Sequence, residues 1–123
     1  MQKRLGIFVL FILVFGLIGC AANSNGIDKG LYNNTIPIIK IYHDFLNGNK
    51  TTDDDARKIR YYFDNHPDTK YKDNDLKLLH LMNDLSMKVE QYKMYNSGGD
   101  VELEKQSFDE CVKIEKEVND LMK

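Results

Sequence analysis

The 123-residue chain has no tryptophan, two cysteines and two prolines. Two cysteines allow at most one disulfide, which excludes the multiply stapled scaffolds found among small exported domains. With proline so rare, long stretches are free to form helix. An excess of one charge is also missing: 17 Lys and Arg stand against 19 Asp and Glu. Such a balance leaves no basic footprint for nucleic acid. The sequence contains no Gly-rich phosphate loop, no serine in a nucleophile motif and no His-Glu-x-x-His pair, which argues against an enzyme. It shows neither a fixed-period repeat nor strand-like alternation.

The first twenty residues are distinctive. Lys3 and Arg4 open the chain, and Leu5 to Ile18 is apolar apart from two glycines. A membrane-spanning helix needs about 20 apolar residues, so this run is short for a permanent span. A positive start, a short apolar core and a small residue before a cut describe a secretory signal. The run ends in Leu17-Ile18-Gly19-Cys20, which resembles the lipobox of bacterial lipoproteins. The resemblance covers residues 1–20 only. It implies a diacylglyceryl group on the Cys20 sulfur, cleavage between Gly19 and Cys20, and a membrane partner reached through that N-terminal lipid. The protein would then sit lipid-anchored on the extracytoplasmic face of the cell membrane. Two acyl chains hold a protein stably where one does not. Ala21 and Ala22 follow the cysteine, so the aspartate that would suggest retention in an inner membrane is absent.

Residues 1–19 carry two cations and no acid, so the remaining 104 residues hold 15 cations and 19 acids, a net charge of −4. That length suits one domain. Residues 20–30, rich in small and polar side chains, read as the lipidated cysteine and a flexible tether with a reach of roughly 20 Å. Residues 31–123 read as the folded domain. With Cys20 lipidated, Cys111 is an unpaired thiol. It falls on an apolar helix face beside Glu110 and Glu115, where a buried, inert cysteine is expected and a reactive one is the less favoured alternative.

Four amphipathic segments follow, which predicts an all-α fold, a small bundle of three or four helices. The first runs from Thr35, as cap, to Asn47, or reaches back to Leu31 and Tyr32 with a bend at Pro37. The second runs from Thr52 to about Asn65, with Asp53, Asp54 and Asp55 at the positive end of its dipole and Ala56, Ile59, Tyr62 and Phe63 as its stripe. The third, from Asp73 to Asn96, has one stripe in Leu78, Leu81, Met82, Leu85, Val89 and Tyr92. A second, thinner row runs through Leu76, Met87 and Met94, with Leu79 and His80 beside it. A helix apolar on two sides is expected to lie centrally. The fourth runs from Asp100 to the end along Val101, Phe108, Cys111, Ile114, Val118 and Leu121. The short Gly98-Gly99 turn makes helices three and four an antiparallel hairpin.

No cofactor or metal is expected. The three histidines are too scattered for a ligand set, His80 with Asp84 being the one suggestive pair, and each reads as a solvent-facing or helix-edge residue. The oxygen-rich stretch from Asp64 to Asp75 fails as a calcium loop. Its sixth position is Thr69 instead of glycine, its twelfth is Asp75 instead of glutamate, and Lys70 and Lys72 oppose a cation. Tyr42, Tyr62 and Tyr92 fit core stripes, whereas Tyr61 and Tyr95 lie off them. The Leu76, Met87, Met94 row is the candidate partner surface, because methionine-rich faces adapt to other helices; burial under helix one or two is its competing reading. The expected function is a binding or interaction module docking on another envelope protein. The alternative is a carrier of a small apolar ligand, with a pocket between helices.

Overall fold

The computed structural model describes residues 25–123. The signal segment, Cys20 and residues 21–24 lie outside the described residues. Among the described residues there are four α-helices: α1 Lys29–Leu46, α2 Asp53–Asn65, α3 Asp73–Gly98 and α4 Val101–Leu121, with a 3-10 turn at Asp68–Lys70 and no strand. The all-α bundle read from the sequence is the observed fold.

The start of α1 differs from expectation. Asp28 is the cap, accepting from the Leu31 amide at 3.0 Å. Thr35 is instead a buried mid-helix residue, donating to the Leu31 carbonyl at 2.7 Å and meeting the Tyr62 hydroxyl at 2.8 Å. The buried positions Leu31, Thr35, Ile38, Ile39, Tyr42 and Leu46 keep a helical period through Pro37. Pro37 removes the amide that would bond the Asn33 carbonyl, but both residues are exposed, so water can serve that carbonyl.

Residues 25–30, expected as part of the tether, are also held in the fold. Ile27 is buried, the Asn25 side chain donates to the Leu121 carbonyl at 2.8 Å, and the Asp28 amide donates to Asp75 at 2.9 Å. An apolar residue followed by an acidic cap draws residues 25–30 into the domain, so the folded part begins before residue 31.

α2 has the expected start, a capping box in which Thr52 and Asp55 each accept the other's amide. Only Tyr62 of this helix is buried; Ile59 and Phe63 are half-buried and Ala56 is exposed. The helix is a thin cover on α1. Asp73 does not cap α3. It is the first helical residue, with a positive φ of 56°, and the preceding Lys72 makes no side-chain cap.

α3 and α4 form the expected hairpin, turned by Gly99 in the left-handed conformation that glycine adopts without a Cβ clash. Leu78, Leu79, Met82, Leu85, Val89 and Tyr92 of α3 join Phe108, Cys111, Val118 and Leu121 of α4 in one core with α1. Each fully buried side chain of this kind contributes about 1.5–3 kcal/mol.

The helices run up, down, up and down. Residue 25 meets Asn74 and Leu121 at one pole, the base. Phe45, next to the last residue of α1, packs edge-on against Tyr92 at 6.0 Å, and Tyr92 faces Phe108 at 5.7 Å. α3 continues six residues beyond Tyr92, about 9 Å at 1.5 Å per residue. The hairpin therefore projects past the end of α1. Between Tyr92 and Ser107 no residue is buried.

Candidate functional site

Three regions of the fold stand out: the second row of α3 with the hairpin tip, the cleft between α1 and α2, and the polar residues inside the core.

The second row does not behave as one strip. Leu76, near the base, is half-buried, and Leu79 is fully buried. Met87 and Met94 are 60% and 67% exposed, so neither α1 nor α2 covers them. Val101, expected on the α4 core stripe, is 76% exposed. It lies on the projecting tip, beyond the end of α1. Leu103 is exposed there too. Met94, Val101 and Leu103 thus place three large apolar side chains on the tip among the acids Asp100, Glu102 and Glu104. The sequence marked Met94; Val101 was masked by a stripe that extends farther than its partners.

The cleft lies where the short α2 crosses α1. It is an open groove of about 570 Å³ floored by Pro37, Ile38 and Tyr62, with Tyr61, Arg57 and Lys58 along its α2 side. Tyr61 is 70% exposed. Arg57 and Lys58 both reach the same carboxylate, Asp54, at 3.4 and 3.1 Å. One acid between two cations leaves a surplus positive charge on this rim. Toward the base the groove ends at His66, buried and tilted against Tyr62 at 4.9 Å with Tyr71 stacked beyond it at 6.0 Å. His66 Nδ1 is 2.7 Å from the Tyr62 carbonyl, which only accepts, so Nδ1–H is the donor. Nε2 then accepts from the Asn34 amide at 3.4 Å. A second, smaller hollow shares Asn34, Tyr61 and His66 and continues to Asp28 at the base.

The core holds a polar seam between α1 and α4. His43 Nδ1 lies 3.2 Å from Glu115 Oε2, with both side chains buried. The Asn47 amide donates toward His43 Nε2 at 3.4 Å, which leaves Nδ1–H to donate to Glu115. Burial pushes the Glu115 carboxyl above its usual value, and the His43 hydrogen bond only partly offsets this. Glu115 Oε1 and Asn119 Oδ1 are both buried acceptors without a hydrogen-bond partner, one helical turn apart on the same face. A proton on the acid is what such a pair needs. The Tyr42 hydroxyl also lacks a well-formed hydrogen bond, Ser86 being its polar neighbour, and burial raises it to about 12.

These positions correct the histidine reading. His43 and His66 are interior residues, and only His80 is exposed, paired with Asp68 at 3.5 Å instead of Asp84. Among the described residues, no three His, Cys, Asp or Glu side chains come together as a metal site. Cys111 is fully buried, and burial followed by the charges of Glu115 and Glu110 pushes its thiol up to about 12. Among the described residues no helix is long and apolar enough to cross a membrane. The lipidation residue Cys20 and the cleavage position Gly19 lie outside the described residues. Compared with protein-family models, curated proteins and solved structures, the chain matches none.

Proposed function

We propose that this chain is a lipid-anchored interaction module on the outer face of a bacterial membrane, docking on an envelope protein through the tip of its α3–α4 hairpin. The observation that carries the reading is the uncovered tip. Large apolar side chains left uncovered at one pole of a small domain mark that pole as a candidate partner site. Met94, Val101 and Leu103 are exposed at the pole opposite residue 25. With lipid on Cys20, the chain from Cys20 to Asn25 spans at most about 18 Å, so the base faces the bilayer and the tip faces away. Met87 lies lower on the same hairpin and extends the surface.

Two measurements test the reading. Labelling with radioactive palmitate should mark the wild-type chain and not Cys20→Ser; equal labelling of both removes the anchor. A photoreactive residue at Met94 or Met87, compared with one at exposed Lys113, tests the surface in intact cells. Trapping of one envelope protein from the first two positions and not the third supports docking. No adduct, or the same adducts from Lys113, removes it.

A second reading, a carrier of a small apolar ligand, is favoured by the groove between α1 and α2. Its volume lies within the range of roughly 300–1,000 Å³ usual for ligand pockets.

A further inference from the structure

From the groove between α1 and α2 we infer a binding site for a single-chain anionic amphiphile, a medium-length acyl chain ending in a carboxylate. The inference names the ligand class of the carrier reading and rests on it; it is independent of the hairpin tip.

The groove has the polarity such a molecule needs. Its floor is Pro37, Ile38 and the ring of Tyr62, whose hydroxyl is already occupied by Thr35 at 2.8 Å. An acyl chain laid on that floor meets carbon, and at the base end both His66 ring nitrogens are already engaged, by the Tyr62 carbonyl and the Asn34 amide. The exposed ring of Tyr61 stands beside it as an apolar wall with a polar tip. At the end farther from the base, Arg57 and Lys58 share the single carboxylate of Asp54. Arg57 offers five N–H donors and Lys58 three, and Asp54 takes one contact from each, so donors that now face water remain for an incoming anion. No acid lines this groove, although the domain as a whole has four more acids than cations. The anionic head is therefore placed between Arg57 and Lys58, with the chain directed toward His66 and the base. A membrane amphiphile drawn out along its own axis would enter with its head leading and its tail still toward the bilayer.

The test uses the full-length lipidated chain in vesicles of zwitterionic phosphatidylcholine, with a diazirine-bearing medium-chain fatty acid and the matching fatty alcohol as probes. After irradiation, the labelled peptides are mapped. The expected result is labelling by the acid within residues 34–38 and 57–62. Labelling should fall about tenfold in the double variant Arg57→Gln, Lys58→Gln, the scale of losing one charge-assisted contact, and be unchanged in Lys113→Gln. Both lysine and arginine are exposed, so circular dichroism of the variant should match wild type. Acid and alcohol labelling the groove equally would overturn the anionic class while leaving an apolar carrier standing. Labelling that ignores the double substitution, or maps outside the groove, overturns the site. No labelling by either probe overturns both the site and the carrier reading.

Discussion

Glu115 shows how a single residue can make the domain sensitive to pH. Its carboxyl is raised above the usual 4.5 because the charged form is buried. A group raised in the folded state contributes stability fully below its unfolded value and loses it as pH climbs through the folded value. For Glu115 that window opens near 4.5 and extends upward. Glu115→Gln keeps the acceptor for His43 and supplies an N–H for Asn119 Oδ1. Thermal melts should therefore show the variant gaining on wild type as pH rises from 5 to 8; parallel curves would contradict the assignment. Glu115→Ala, which strands His43 Nδ1–H in the core, should cost about 2–4 kcal/mol at pH 5, and this cost should shrink as pH rises because the variant also lacks the titrating carboxyl. Cys111 carries the second expectation at this scale. A fully buried thiol pushed up to about 12 is neither thiolate nor accessible at pH 8. Its reaction with a thiol reagent should follow the global unfolding rate across a denaturant series, and a rapid phase in native buffer would show a reactive cysteine. The apolar stripe around Cys111 made its burial readable from sequence. The His43–Glu115 pair was not readable, because positions 43 and 115 meet only once α1 is laid against α4.

At the scale of elements, what the sequence conveyed well was local. Thr52 with three aspartates after it, and the Gly98-Gly99 turn, each carry their geometry in a few neighbouring residues, and both are observed. Assignment failed where a distant residue decides. Thr35 resembles a cap, yet Tyr62 buries it and Asp28 takes the role. Val101 continues a core stripe, yet it is 76% exposed because α1 ends before reaching it. The depth of cover was equally hidden: α2 has four apolar positions in sequence and buries one. This thin attachment makes α2 the least protected helix. Hydrogen exchange should be faster across Asp53–Asn65 than across the buried faces of α1, α3 and α4, and Thr52→Ala should accelerate it further while costing about 1 kcal/mol. Equal protection of α2 and α3 would mean that the four helices open as one unit. A mobile α2 also suits the groove it borders, since opening there disturbs little of the core.

For the whole molecule, the up-down-up-down order fixes polarity: α1 enters and α4 leaves at the base, and the hairpin tip stands at the far pole. The segment from Asn25 to Asp28 is clamped to Leu121 and Asp75, so an anchored domain cannot wander far from its attachment point. Under the proposed anchor, its net charge of −4 would be repelled by an anionic bilayer surface, which favours standing over lying flat. The α4 helix rises about 28 Å from Val101 to Asp120, and this sets the expected separation. Dyes placed on Ser97→Cys at the tip and Asp120→Cys at the base should differ in distance to a membrane acceptor by roughly 30 Å, measured by energy transfer in anionic vesicles carrying the lipidated chain. Buried Cys111 stays unlabelled in both. Raising salt weakens the repulsion, so the tip should approach the membrane as ionic strength increases. Two equal distances at low salt would mean that the domain lies along the surface. The tip would then be unable to reach an envelope partner in the manner proposed, even if the anchor itself is present.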